Sequence, residues 1–254
     1  MKYLSLFFLF LLQLSAEIFE TNEIATLETT ITPHTFLILD IDNTLIEPAQ
    51  TLGTDQWFYS QMLSYERQGY SKKEALNQTI KEWSAIQNLT EVKPVEPNAF
   101  EVIDRIQKNG ITVIGLTARG LNLIYCTADQ LNTVGIDLSR NAPTQDEVFF
   151  QNGKGVLFSG GILYCAGTHK GNALFKFLSL IGHTPSAVVF IDDKLSGLRE
   201  VELACENRHI PFIGLRYSRT DHQVKNFSRP LADIQFKHFG RLMSDQEAEA
   251  LLAQ

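Results

Sequence analysis

One segment constrains this chain more than any other. Phe36-Leu-Ile-Leu39 is a run of four apolar residues, followed at once by Asp40-Ile-Asp42-Asn-Thr44. A short unbroken apolar run suits a strand buried on both faces, as in the middle of a parallel sheet. Parallel strands need crossover connections, usually helices packed on the sheet. The rest of the chain should therefore alternate strand with helix. In such sheets ligands gather beyond the carboxyl ends of the strands, where Asp40 and Asp42 stand.

The expected alternation follows. Asn98 to Lys108 is amphipathic through Phe100, Val102, Ile103 and Ile106, and Asn109-Gly110 stops it. Ile111 to Leu116 reads as a strand and Leu121 to Leu131 as a helix. Phe149-Phe150 and then residues 155–164 suggest a β-hairpin with Gly160-Gly161 at the turn. Lys170 to Leu180 reads as a helix closed by Gly182, Ala187 to Ile191 as a strand, Leu198 to Asn207 as a helix and Ile210 to Leu215 as a last strand. Ser244-Asp-Gln-Glu247 has capping-box spacing and opens a terminal helix. Residues 17–33, polar and rich in Thr and Glu, read as a leader into the domain.

Residues 46–97 differ. Thr54 can cap a helix through Leu63, with Asp55 in the first turn to suit the helix dipole. Ser71-Lys-Lys-Glu74 is a capping box ahead of a helical stretch from Ala75 to Ile86. Trp57, Phe58, Tyr59, Tyr65, Tyr70 and Trp83 concentrate aromatics here, and Lys93-Pro-Val-Glu-Pro97 ends the segment. This is a small helical module between the first strand and the rest. Trp57 has two readings, core of the module or platform for a substrate.

The termini and composition bound the rest. The 254 residues fit one large domain, or one domain with a small insert. Met1-Lys2 and the apolar run Tyr3 to Leu14, broken only by Ser5 and Gln13, read as a secretory signal peptide over residues 1–16. The run is shorter than the roughly 20 residues of a transmembrane helix, so no stable membrane span is expected after cleavage. Loss of Lys2 would take the net charge from −7 to −8. No Lys/Arg block stands out, which argues against a nucleic-acid partner. Cys126, Cys165 and Cys205 are too widely spaced for a zinc site and read as buried thiols, with one bridging pair left open.

The residues just after each strand converge. Asp40 and Asp42 follow the first strand, Thr117-Ala-Arg119 the second, and Asp192-Asp193 close the late one, while Lys170 opens the helix ahead of it. Four packed carboxylates repel one another and partly protonate unless a cation resolves the conflict. Hard oxygen ligands suit Mg²⁺, which takes one or two carboxylates, waters and a substrate phosphate. Thr117, Lys170 and nearby backbone N–H groups would hold that phosphate. Arg119 either joins them or pairs with a carboxylate.

These motifs resemble those of the haloacid dehalogenase (HAD) superfamily. Asp40-x-Asp42-x-Thr44 is similar to its first motif, Leu116-Thr117-Ala-Arg119 to its second, and Lys170-Gly171-x-x-Leu174 with Ile191-Asp192-Asp193 to its third and fourth. All four stand in family order over residues 35–217. The resemblance implies an α/β fold: a Rossmann-like parallel core of residues 17–45 and 98–254, with 46–97 as a C1-type helical cap. Thr117 and Lys170 are 53 positions apart, which leaves no room for a large second cap.

The resemblance also implies roles. Asp40 would be the nucleophile that forms an aspartyl-phosphate. Asp42 would be the general acid and then the base. Thr117 and Lys170 would bind phosphate. Asp40, the Asp42 carbonyl, Asp192 and, directly or through water, Asp193 would hold Mg²⁺. Asn43 and Thr44 read as turn and support. An Asp at position 42 favours phosphatase or phosphotransferase chemistry over dehalogenation. The expected protein is a secreted or periplasmic Mg²⁺-dependent phosphomonoesterase acting on a small phosphorylated substrate or a phosphoprotein. Alternatives are phosphotransfer to an acceptor other than water and a catalytically silent binding protein on the same scaffold. Similar proteins include the periplasmic and surface acid phosphatases, although their fourth motif usually carries Gly-Asp where this chain has Ile191-Asp192-Asp193.

Overall fold

The computed structural model describes residues 16–253 except 239, 241 and 242, so nearly all of the expected signal peptide lies outside the described residues. In chain order the elements are β1 (Ala16–Thr21), α1 (Thr26–Thr30), β2 (Thr35–Leu39), β3 (Ile46–Pro48), α2 (Asp55–Arg67), α3 (Lys72–Gln87), β4 (Val92–Pro94), α4 (Ala99–Lys108) and β5 (Thr112–Thr117). A 3₁₀ turn over Leu121–Leu123 leads into α5 (Ile124–Thr133). Then come β6 (Val148–Gln151), β7 (Gly155–Ser159), β8 (Ile162–Tyr164), α6 (Lys170–Leu180), β9 (Ala187–Asp192), α7 (Leu195–Glu206), β10 (Phe212–Tyr217), α8 (Asp221–Lys225), α9 (Arg229–Lys237) and α10 (Asp245–Leu252).

Eight strands form one sheet in the order β1-β10-β9-β2-β5-β8-β7-β6. Pairing is parallel from β1 to β8, and the hairpin strands β7 and β6 extend it antiparallel. This is the α/β fold expected. Successive residues of a strand point to opposite faces, and β2 shows the consequence. Leu37 and Leu39 pack on one side with Val102, Ile103 and Ile106 of α4. Phe36 and Ile38 pack on the other with Leu174, Phe177 and Leu178 of α6 and Val201 of α7. Both faces are covered, so β2 is apolar from Phe36 to Leu39. Its direct neighbours are β5 and β9, so the ends of all three strands open onto one edge.

One expectation changes. Residues 17–33 do not merely lead into the domain: β1 pairs with β10 from Ala16↔Phe212 to Thr21↔Tyr217, and α1 buries Leu27. Helix α9 packs on the insert, where Ala232 joins Leu52, Trp57, Trp83 and Ile86 in one apolar cluster, while α10 packs on α9 through Ala248 and reaches the insert through Asp245, which accepts from Thr51. Arg229 donates to Ser60 and Gln61 of α2 at 3.1 and 2.7 Å. Within the insert, β3 and β4 pair antiparallel at its base. Thr54 accepts from the Trp57 N–H to cap α2, and Ser71 and Glu74 form the capping box of α3. The described cysteines are all free thiols. Among the described residues no helix is long and apolar enough to cross a membrane.

Candidate active site

Asp40 follows β2 directly and is 6% exposed. Its backbone N–H donates to the Ile191 carbonyl at 3.0 Å, which extends the β2–β9 pairing and fixes the side chain at the edge. Oδ1 accepts from Lys170 Nζ at 2.7 Å and Oδ2 from Thr44 Oγ1 at 3.3 Å. Burial pushes the Asp40 carboxyl up to about 7; Lys170 opposes this and the nearby Asp192 charge adds to it. Three residues on, Asn43 adopts φ 59°, a left-handed conformation that Asn tolerates better than most residues. Its amide donates to Asp193 Oδ2 at 3.3 Å, and Thr44 Oγ1 also accepts from the Asp193 N–H at 3.2 Å. Asn43 and Thr44 thus tie the first motif to the fourth.

Asp42 turns away from this cluster. Its carboxylate takes two hydrogen bonds from Arg119, Nε to Oδ2 at 3.0 Å and Nη2 to Oδ1 at 2.7 Å. Burial alone would raise the Asp42 carboxyl, but the guanidinium holds it below its ordinary value. Arg119 spends its other donors on Thr127 at 3.0 Å and on Gln130 at 2.7 Å. Of its two expected roles, the structure shows the pairing with a carboxylate, and Arg119 also lines the cavity that holds Asp40, Thr117 and Lys170. Thr117, the last residue of β5, lines the same cavity as Asp40 and Lys170, and its Oγ1 accepts from the Arg119 N–H at 3.1 Å. The next helical turn starts only at Leu121, so Thr117 is not a helix cap.

Lys170 opens α6, capped by the His169 ring, and its ammonium bridges Asp40 and Asp192, 2.7 Å from each. Asp192 Oδ1 also accepts from the Lys194 N–H at 2.7 Å. Two glycines allow this closeness. A Cβ on Gly197 would lie 2.3 Å from Asp192 Oδ2, and one on Gly171 would lie 2.1 Å from the Glu200 carbonyl oxygen. α6 and α7 therefore press together and bring Lys170 onto Asp192.

The donor set fits a hard divalent cation. Oxygens of Asp40, Asp192 and Asp193 lie within 4.8 Å of one another. Among the described residues Asp193 Oδ1 is buried without a hydrogen-bond partner. Burial, and then the Asp40 charge, push the Asp193 carboxyl up to about 8. Three carboxylates less one ammonium leave two negative charges when all are ionised, the charge a divalent cation balances. No His or Cys joins the group, which suits Mg²⁺ over zinc. The Asp42 carboxylate is not in the cluster, which leaves only its carbonyl for the expected ligation.

A cavity of about 810 Å³ lies over Asp40. The insert contributes Phe58, Tyr59 and Met62 from α2, and Leu76, Ile80 and Trp83 from α3. Trp57 does not line it. That side chain is fully buried, its ring 5.4 Å from that of Phe236, so the core reading of Trp57 holds and the platform reading does not. Lys194 was missed as a site residue. It reaches across the cavity to form an ion pair with Asp55 at the start of α2, and it lies 5.5 Å from the Tyr59 ring centre. Its place directly after Asp193 was the available signal.

Comparison with known proteins finds a family described as "Protein of unknown function (DUF2608)" matching residues 17–249. Two proteins named "Putative outer membrane protein" are similar. That of Chlamydia pneumoniae is 27% identical over 85% of this chain and 82% of its own length. That of Chlamydia muridarum is 28% identical over 85% and 82%. An uncharacterized protein of Rickettsia prowazekii is 23% identical over 86% and 83%. Two solved structures resemble the chain at a low level. A hydrolase from Pseudomonas syringae covers 76% of this chain and 99% of its own, with 13% identity and a TM-score of 0.41. A HAD-superfamily hydrolase, subfamily IA, variant 1, from Geobacter sulfurreducens covers 76% and 96%, with 11% identity and a TM-score of 0.40.

Proposed function

The chain belongs to the DUF2608 family, and we propose that it is a Mg²⁺-dependent phosphomonoesterase working through an aspartyl-phosphate. One observation carries the reading: a buried carboxylate, Asp40, contacts Lys170 at 2.7 Å and shares its cavity with Thr117, beside a three-carboxylate cluster that leaves Asp193 Oδ1 unpartnered. Phosphoryl transfer needs little more than positioning, charge neutralisation and an in-line nucleophile.

An Asp40 carboxylate oxygen attacks phosphorus while the bond to the leaving oxygen breaks. That oxygen takes a proton from Asp42, released from Arg119 and protonated for this step. Water then attacks the phosphorus of the aspartyl-phosphate and gives a proton to Asp42. The bond to Asp40 breaks, releasing phosphate and restoring both carboxyl groups. Lys170 neutralises Asp40 at rest and the phosphate when it arrives, and the Thr117 hydroxyl orients a phosphate oxygen. Asp40, Asp192 and Asp193, with the Asp42 carbonyl, would hold Mg²⁺, which supplies charge neutralisation at the phosphate.

The apolar run Tyr3 to Leu14 and the name carried by the Chlamydia relatives support export, to the periplasm or beyond. The test of the chemistry is hydrolysis of an aryl phosphate with and without EDTA, by the wild type and by Asp40→Asn. Both treatments are expected to abolish turnover, and activity that survives both would sink the mechanism.

A further inference from the structure

The cavity over Asp40 has two unlike halves. Its floor is charged. Its upper half is one face from each insert helix. On α2, Phe58, Tyr59 and Met62 stand three, four and seven positions after Asp55; on α3, Leu76, Ile80 and Trp83 follow the same helical spacing. Such spacing puts each set on a single helix face. Helices normally bury an apolar face of this kind, whereas these two enclose open space. Phe58 meets Trp83 edge-on at 6.1 Å and Tyr59 at 5.6 Å, which braces the aromatic wall.

The charged groups around this space are committed to partners within the chain. On the insert side the charged group is Asp55, ion-paired to Lys194, and the Tyr59 hydroxyl and the buried Ser84 are the neutral polar groups. On the core side Lys154 Nζ donates to the Ala166 carbonyl at 3.1 Å, and the Glu200 carboxylate accepts from the Lys170 N–H at 2.6 Å. A sugar entering here would have only a few neutral polar groups to meet, Tyr59, Ser84, Asn122 and Ser196, and each hydroxyl left without a partner costs binding. An apolar group would instead be drawn out of water against six apolar side chains. The volume falls within the range of small-molecule sites, roughly 300–1,000 Å³.

We propose that the substrate is a phosphate monoester whose alcohol half is bulky, uncharged and apolar, aromatic or aliphatic, and not a sugar. The inference rests on the phosphomonoesterase reading, because a phosphate seated at Asp40 sends its leaving group up between α2 and α3.

The test uses the full chain with Mg²⁺ and three esters of primary alcohols, whose leaving groups have similar intrinsic reactivity: 2-phenylethyl phosphate, octyl phosphate and glucose 6-phosphate. The apolar esters are expected to exceed glucose 6-phosphate in kcat/KM by about tenfold or more, and whichever of the two leads identifies the alcohol as aromatic or aliphatic. In parallel, calorimetry compares 2-phenylethylphosphonate with methylphosphonate, neither of which is hydrolysed. The former should bind about tenfold more tightly, and that ratio should fall in Phe58→Ala and in the size-conserving Met62→Gln. Equal phosphonate affinities, or glucose 6-phosphate turned over as well as the apolar esters, would overturn the substrate class even in an active phosphatase. Selective phosphonate binding without turnover of any ester would overturn the phosphomonoesterase reading and leave the apolar site standing.

Discussion

Arg119 grips Asp42 at both carboxylate oxygens, at 3.0 and 2.7 Å, with its own side chain almost wholly buried. A bidentate fork of this kind is strong and directional. It also has a chemical consequence: an ionised Asp42 accepts protons and cannot donate one, so acid catalysis at the leaving group requires the pair to part.

Removing one partner of a buried pair leaves the other charge uncompensated. Asp42→Asn and Arg119→Met should each cost about 3 kcal/mol of stability in urea unfolding. The double variant should cost less than the sum by more than about 1 kcal/mol. Losses that add within about 0.5 kcal/mol would show that the two residues do not act as a pair.

Asp40 and Asp193 set a pH dependence. Their folded-state values, about 7 and about 8, lie above the ordinary 3.8 of an aspartate. The folded chain thus keeps protons that the unfolded chain has already released, so these groups stabilise the metal-free protein most at low pH. Their contribution is lost as pH rises from about 4 to about 8. Mg²⁺ competes with those protons, so its affinity should rise over the same window. The increase in Tm on adding Mg²⁺ should be larger near pH 8 than near pH 6, with protons released on binding near neutrality. A Tm increase that shrinks with rising pH would contradict the three-carboxylate metal site.

Gly197 makes room for Asp192. A Cβ there would meet Asp192 Oδ2 at 2.3 Å, and the carboxylate, bridged to Lys170 and tied to the Lys194 N–H, has little freedom to yield. Gly197→Ala should weaken Mg²⁺ binding by roughly 10- to 100-fold, the scale on which changes around metal ligands act. Calorimetric titration with Mg²⁺ reads this directly, and wild-type affinity in the variant would show that Asp192 is not held as described.

Much of the fold and site could be read from the sequence. Phe36 to Leu39 announced a central strand because both faces of β2 are covered, and Asp40, Lys170 and Asp192 met because each stands at a strand end or helix start on one edge. Other features were hidden for physical reasons. β1 mixes Ile18 and Phe19 with glutamates because it is a half-exposed edge strand, so it shows no apolar run. α2 carries Trp57, Phe58 and Tyr59 in succession, and such a helix gives no sign of which face meets the cavity; Phe236, far along the chain, settles it by covering Trp57. α9 was legible and overlooked, since Ser228 caps it and Pro230 stands in its first turn.

That distant cover rests on one amide. Gln235 of α9 is almost fully buried and accepts from the Leu52 N–H at 2.8 Å. It donates to the Met243 carbonyl at 3.0 Å and to Asp245 Oδ1 at 2.7 Å. Asp245 in turn accepts from the Thr51 N–H and hydroxyl at 2.9 and 3.0 Å. One side chain thus joins the loop entering α2 to the turn between α9 and α10. Gln235→Leu keeps the bulk and strands the Leu52 N–H and the Met243 carbonyl, at about 1–3 kcal/mol for each buried group left unpaired. The first consequence should be local. Limited proteolysis should cut the 50–54 loop and the segment after α9 faster than in the wild type, while the Mg²⁺ site, built on the strands of the core, keeps its affinity. A variant that resists protease as the wild type does would show that the apolar cluster around Trp57 holds the C-terminal helices on the insert without this hydrogen-bonded link.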